Sequence, residues 1–270
     1  MTESIWRTKQ PVLAEWLDFR SRCRLSALMG AMQRAADEHV AHMGLDHSRM
    51  LKWGMTWMLM AMELRLDRST RFGEELRLAT WHKKTVGVQW YRDFEMTDGR
   101  GNRVATAQTI WALVDIARRR VLRPSALPAE VASCPHVSVG DTVARIHVPE
   151  DISLIPSHAF AVRYSGLDAN GHLNNARYAD LCLDALSLDE LQTMEWRMFQ
   201  ITFHHEAVFG DEIHVLRSAL EDHAEYGRGN GEGAGGIWFR GVSQNEQLLF
   251  EAFLECEVSK RPGTCYDLEN

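Results

Sequence analysis

Between Gly166 and Leu186 the chain reads GLDANGHLNNARYADLCLDAL. Asp168, Asn170, His172, Asn174 and Asn175 fall within eight positions, directly ahead of a helical apolar pattern. Turning a loop takes a glycine and one Asn or Asp; five side chains that can hydrogen-bond or titrate exceed that need. An imidazole and a carboxylate in one loop can hold and move a proton. A second carboxylate, Glu206, sits in HHEAVFGDEIHV, which begins at His204. Each residue also has an ordinary reading. Asp168, Asn170 or Asn174 can cap a helix, a lone histidine is more often a partly buried structural group, and a glutamate in a strand usually faces solvent. The neighbours His204 and His205 suggest a metal, but adjacent strand residues point to opposite faces, so no metal shared by that pair is expected.

The elements that must position these residues are written twice. RFGEELRLATW, from Arg71, matches VFGDEIHVLRS, from Val208, at a constant offset of 137. Each copy has a helix pattern upstream, Leu25 to Val40 and His172 to Leu186, and strands downstream. The second helix has a narrow polar stripe (Arg177, Asp180, Asp184), as burial by a sheet requires. Period-two alternation puts Phe250, Ala252, Leu254, Cys256 and Val258 on one strand face, with Glu251, Glu255 and Glu257 facing away beside Phe253. Asp98-Gly99 reads as a hairpin turn, and Ser243–Gln247 as its counterpart. WGMTWMLMAM, Trp53 to Met62, is about half of the ~20 residues a membrane span needs and reads as a buried strand. GRGNGEGAGG, Gly227 to Gly236, reads as a flexible loop without a phosphate-binding signature. Pro124, Pro128 and Pro135 mark a linker, so the expected domains are 1–135 and 136–270, each an α+β unit whose curved antiparallel sheet wraps its own helix.

Composition sets the class. The 270 residues are 45% hydrophobic and 25% charged, which reads as a soluble globular protein. The N-terminus lacks a signal pattern. Five scattered cysteines (Cys23, Cys134, Cys182, Cys256, Cys265) lack metal-like spacing and are odd in number, which fits a reducing cytoplasm. The net charge of −7 divides into +6 over residues 1–135 (21 Lys and Arg against 15 Asp and Glu) and −13 over 136–270 (9 against 22). The first half can therefore attract an acidic partner.

The string Asp168-x-Asn170-x-His172-x-Asn174-Asn175-x-x-Tyr178 resembles the active-site loop of the fatty acyl-ACP thioesterases of plant plastids and bacteria. The resemblance extends to HHEAVFGDEIHV, where Glu206 falls at the family's functional glutamate. KWGMTWMLMAMELRLDRSTRFGEELRLATW and IWALVDIARRRVLRP are similar to the family's N-terminal domain. It implies a tandem, double hot-dog fold, with a non-catalytic acyl-binding first half and a catalytic second half. It also implies hydrolysis of an acyl thioester, releasing free fatty acid from a carrier protein that bears a phosphopantetheine-linked acyl chain, with no cofactor and no metal. Plant members commonly carry a cysteine directly after the glutamate. This chain has Ala207 there, and no base is placed for Cys182, so a Cys–His mechanism is not expected.

Thioester hydrolysis suits such a loop. A thiolate leaves easily, so the needs are an activated water and a positive environment for the oxyanion, which a buried helix N-terminus supplies. Under the resemblance, Glu206 activates water, alone or with Asp168, while Asn170 and His172 position water and thioester. Asn174 and Asn175 contact substrate, Trp57 and Met60 line the acyl tunnel, and Arg118, Arg119, Arg120 and Arg123 dock the acidic carrier. No nucleic-acid partner is expected, and a homodimer is compatible with the reading. The alternatives are an acyl-CoA thioesterase of the same fold, a non-hydrolytic acyl-binding protein, and a hot-dog dehydratase. The repeat supplies a control. Aligning Leu28 with Leu173 puts Cys23, Leu25, Ala27 and Gly30 opposite Asp168, Asn170, His172 and Asn175, and offset 137 puts Ser69 opposite Glu206. On that alignment the first copy lacks the whole polar set, which favours function over folding.

Overall fold

A computed structural model describes residues 4–220 and 234–258. The chain divides into two compact units, Met1–Ala14 with Leu28–Ala144, and Glu15–Ala27 with Arg145–Asn270. The division at 144/145, instead of 135/136, follows from where the proline-marked linker goes. Its first part lies over the first unit's sheet: Lys83 Nζ donates to Ser138 Oγ at 2.5 Å and pairs with buried Asp93 at 3.2 Å, and Val143 packs on Ala61 and Ile110.

The first unit contains β1 (Trp6–Pro11), α1 (Leu25–His42) from Leu28 onward, α2 (His47–Lys52), β2 (Met55–Leu66), β3 (Glu75–Val86), β4 (Gln89–Asp98), β5 (Arg103–Asp115) and β6 (Arg120–Val121). Its antiparallel sheet has the order β1-β3-β4-β5-β2, with β6 beside β5. Leu25, Leu28, Met29, Met32, Ala35, Ala36 and His39 of α1 are buried, a three-and-four spacing that gives the helix one continuous packing face. That face meets the sheet where Arg92 of β4 reaches His39 Nδ1 at 3.1 Å.

The second unit contains β7 (Ile155–Ala161), α3 (Arg177–Asp184), α4 (Leu188–Thr193), β8 (Met194–Phe203), β9 (Glu212–Arg217), β10 (Ala234–Ser243) and β11 (Leu248–Val258). The order β7-β9-β10-β11-β8 repeats that of the first sheet strand for strand. Tyr178 of α3 packs edge-on against Phe203 of β8 and Phe250 of β11, with ring centroids 5.3 Å apart in both pairs. A capping box of Ser187 and Glu190 starts α4.

The duplication extends to the turns. Gly73 (φ 74°) and Gly210 (φ 94°) both adopt the left-handed conformation that the Phe-Gly-acid turn needs, and their N–H groups donate to Val12 and Val162 carbonyls. Asp98 Oδ1 accepts from the backbone of Arg100 and Asn102, and Ser243 Oγ from Asn245 and Gln247, so the two hairpins close alike with different residues.

One expectation changes: helix α3 starts at Arg177, five residues after His172, and runs only to Asp184. The face of β11 that carries Glu251 and Phe253 is covered, with these residues 2% and 3% exposed, while Glu257 at its end is exposed. The linker's second part covers them, with Val148, Ile146, Ile152 and Leu154 packed on Met198, Trp238 and Phe253. The buried Glu251 carboxylate is compensated by Arg240 at 2.8 Å, which lets a charge sit on a covered face. Most of the glycine-rich segment lies outside the described residues; its last three residues, from Ala234, open β10.

Candidate active site

The loop from Asp168 is shaped by its own first residue. Asp168 Oδ1 accepts the N–H of Asn170 at 2.8 Å and of His172 at 3.2 Å. Asp168 N donates back to the His172 carbonyl at 2.8 Å, and Gly171 takes φ 79° to close the turn. Leu173 N then donates to the Ala207 carbonyl at 2.8 Å, and a bridge joins His172 to Val208. Those contacts stitch the loop to the segment after β8, and they place Glu206 next to His172. His172 Nε2 lies 3.6 Å from Glu206 Oε1, with both side chains about one-third exposed.

Tyr178 contributes from beneath. Its hydroxyl engages the Ala207 backbone, and burial pushes the phenol well above its usual range. The tyrosine thus holds the residue after Glu206, a positioning role that the motif string contained and the sequence reading did not assign. Asn174 is structural: Oδ1 accepts from Ala176 N and its carbonyl from Arg177 N, both at 2.9 Å. These two amides at the start of α3 are therefore engaged, which corrects the expectation of a free helix terminus at His172. Asn170 is exposed at the loop tip and Asn175 is half-buried ahead of α3. Cys182 is fully buried in α3, and desolvation raises its thiol well above its ordinary value, which argues against a thiolate nucleophile there.

The first copy builds the same loop, at an offset of 150. Asp18 Oδ1 accepts from Arg20 N at 2.8 Å and Arg22 N at 2.9 Å, Asp18 N donates to the Arg22 carbonyl, and Ser21 takes the left-handed φ of 58° that Gly171 takes in the second copy. The alignment of Leu28 with Leu173 is thus corrected. Asp168 corresponds to Asp18, Asn170 to Arg20 and His172 to Arg22. The helix starts mislead because α1 has 18 residues and α3 has 8. Arg20 and Arg22 both grip Glu195, at 2.6 and 2.5 Å. A cavity of about 340 Å³ in the second unit lies at this first-copy loop, lined by Asp18, Arg22, Arg177, Leu186 and Trp196, and not by His172 or Glu206.

In the first unit, Trp57 and Met60 part company. Trp57 lines a cavity of about 60 Å³ between helix and sheet with Val40, Leu45, Trp90, Trp111 and Arg92. Met60 packs with Ala61, Ile110, Val143 and Tyr91 instead, which does not support it as a tunnel residue. Arg118, Arg119, Arg120 and Arg123 are all exposed around the β5–β6 turn. Arg118 is tied to Asp115 through its N–H (2.8 Å) and its guanidinium (3.3 Å).

Sequence models of the acyl-ACP thioesterase N-terminal and C-terminal domains match residues 3–132 and 150–235. Palmitoyl-acyl carrier protein thioesterases from chloroplasts are among the relatives. One from Cuphea hookeriana is 23% identical over 197 residues, 67% of this chain and 47% of that protein. One from Arabidopsis thaliana is 22% identical over 246 residues, 77% and 58%. The chain spans about half the length of these relatives. Among solved structures, the 12:0-ACP thioesterase from Umbellularia californica superposes with a TM-score of 0.77 at 15% identity over 96% of both chains. An acyl-ACP thioesterase from Bacteroides thetaiotaomicron does so with 0.73 at 20% identity over 94% and 98%. The repeated sheet order is accordingly that of a double hot-dog, and the chain belongs to the acyl-ACP thioesterase family.

Proposed function

We propose that the protein hydrolyses acyl thioesters, releasing a free fatty acid from an acyl carrier protein, with Glu206 as the general base. The observation that carries this reading is the pairing of His172 with Glu206 in the second copy only. The same loop in the first copy offers Arg22, and offset 137 offers Ser69. A separation of 3.6 Å is too long for a direct hydrogen bond, and it lets one water oxygen lie within hydrogen-bonding reach of both groups. Glu206 takes that water's proton as the oxygen attacks the thioester carbonyl, and His172 orients it. Asn170, at the exposed loop tip, positions the thioester. The thiolate leaves without a strong acid, since a thiol's pKa is about 8.5. Asp168, whose Oδ1 is spent on two backbone amides, shapes the loop.

On this reading the first unit receives the acyl chain near Trp57, and the Arg118–Arg123 region docks the acidic carrier. No disulfide joins the four described cysteines, which supports a reducing compartment such as the cytoplasm; no helix among the described residues is long and apolar enough to cross a membrane. An acyl-CoA thioesterase shares the chemistry. Free-thiol release from matched panels of acyl-ACP and acyl-CoA tests both: turnover of either that is lost in Glu206→Gln supports hydrolysis, and their ratio assigns the carrier. No turnover of either panel by the folded protein overturns it.

A further inference from the structure

The second unit's sheet carries a cluster of ligand-type side chains on the face away from α3. His147 comes from the linker, His204 directly follows β8, and Glu251 lies in β11. Glu251 Oε2 is 3.0 Å from His147 Nδ1 and 3.2 Å from His204 Nε2. The ligand atoms of the three residues all lie within 4.8 Å of one another. We propose that His147, His204 and Glu251 bind a divalent transition-metal ion of the zinc class, which staples the linker to the ends of β8 and β11.

Four observations carry this. The donor set is two imidazoles and one carboxylate, which suits zinc and its first-row neighbours, whereas calcium and magnesium take oxygen ligands. His204 Nε2 is buried without a hydrogen bond although it sits 3.2 Å from the carboxylate oxygen. An imidazole nitrogen and a carboxylate oxygen that close, without hydrogen-bond geometry between them, are placed as ligands around a common point. Glu251 is oriented from behind. Its Oε1 accepts from Arg240 at 2.8 and 3.1 Å and from Val148 N at 3.2 Å, the outer-shell support that metal carboxylates need; Oε2 faces the two imidazoles, and a bound ion takes the place of its 3.0 Å hydrogen bond with His147 Nδ1. The His147 side chain is 64% exposed, giving an entry path, while His204 is 12% and Glu251 3% exposed.

Arg145 is the opposing charge, its guanidinium 3.4 Å from His204 Nδ1. It is exposed and can swing away, so Arg145→Ala should tighten the site. The nearby pair His204 and His205 does diverge, with His205 Nδ1 turned to the Leu248 carbonyl. The partner of His204 comes instead from 57 residues upstream in the linker.

Titration of the apo protein with Zn2+ by calorimetry, and with Co2+ by visible absorption, tests the site without reference to hydrolysis. One saturable equivalent is expected, with the ligand-field bands of a four-coordinate cobalt centre and a melting temperature raised by several degrees at saturation. His147→Ala, at an exposed position that leaves the fold intact, and His204→Ala should each weaken binding by at least ~10-fold, and Mg2+ should not compete. Absence of a saturable equivalent in the wild type, or equal binding in both variants through histidines elsewhere, overturns the proposal.

Discussion

Asp18 and Asp168 make the same contacts 150 residues apart. Each carboxylate accepts the backbone N–H groups two and four residues ahead, at 2.8 and 2.9 Å for Asp18 and at 2.8 and 3.2 Å for Asp168. A residue present in both copies, with the same partners, is explained by the loop it builds. The chemistry must then be sought in what differs, which is His172 against Arg22 and Glu206 against Ser69.

The relationship predicts similar losses from the two aspartates. Hydrogen bonds to a charged group contribute about 1.5–3 kcal/mol, and the loops are partly exposed, so Asp18→Ala and Asp168→Ala should each destabilise by about 2 kcal/mol. Asp168→Asn keeps an oxygen acceptor for both amides and should retain activity within ~10-fold. A drop of ~10²-fold or more in kcat with unchanged melting would make Asp168 the base after all.

Removing the proposed base should act on chemistry and not on folding. Glu206→Gln should lower kcat by ~10²-fold or more, and it should flatten the acidic limb of the pH–rate profile. His172→Ala and Asn170→Ala should also lose activity, while Cys182→Ser, inside α3, should keep most of it. Steady-state kinetics beside thermal melts separates these cases; full activity in Glu206→Gln would remove it from the mechanism.

The strand plan and the duplication were legible in the sequence because local signals carry them: alternation, the Phe-Gly-acid turn, and a helix with a narrow polar stripe. The loop register was not. Two helices of 18 and 8 residues start at different distances from the same loop, so aligning apolar runs slid the copies by five positions and hid Asp18 behind Cys23. The cover on the second face of β11 was also invisible, because alternation says which residues share a face and not that Arg240 and the linker lie on it. His172 and Glu206 were found by motif, but nothing local in Ala207 or Tyr178 announces that they hold the two together. The His147–His204 contact joins residues 57 apart through an irregular segment, beyond the reach of any periodic pattern.

Acid should destabilise the protein through His82. Burial chiefly, then the Arg92 charge, pulls this histidine from 6.5 down to about 4; Nδ1 faces the Tyr91 carbonyl at 3.1 Å and Nε2 the Thr85 hydroxyl at 3.0 Å. The unfolded chain binds a proton near pH 6.5 and the folded chain does not until about pH 4. The stability contributed by the neutral ring is therefore complete above pH 6.5 and falls away as the pH drops toward 4, by about 3 kcal/mol over the window. Melting temperatures between pH 7 and 4 for the wild type and His82→Gln should show a smaller acid loss in the variant. Parallel curves would assign the acid sensitivity to other groups.

Carrier docking should be electrostatic. Arg119, Arg120 and Arg123 are exposed around the β5–β6 turn beside Arg118, which pairs with Asp115. Arg119→Glu with Arg120→Glu should raise KM for acyl-ACP and remove its salt dependence, because exposed charges act through screened, long-range attraction. Acyl-CoA hydrolysis should change less. Equal losses on both substrates would place the docking face elsewhere.

Selectivity for acyl length should follow Trp57 and not Met60. The indole of Trp57 stands in the helix–sheet cavity, 5.1 Å from that of Trp90 in an edge-on pair, whereas Met60 packs under Val143 with Ala61 and Ile110. One methylene in an apolar pocket is worth ~1–3 kcal/mol of discrimination, so removing an indole should lengthen the preferred chain measurably. Trp57→Ala should therefore shift the acyl-length profile, with a smaller change in turnover of the new best substrate. Met60→Ala should lower the melting temperature and leave the profile where it was, since its contacts are packing contacts. Running the acyl-length panel and thermal melts on both variants decides the matter, and a profile that moves with Met60 while staying fixed with Trp57 would reverse the assignment of faces.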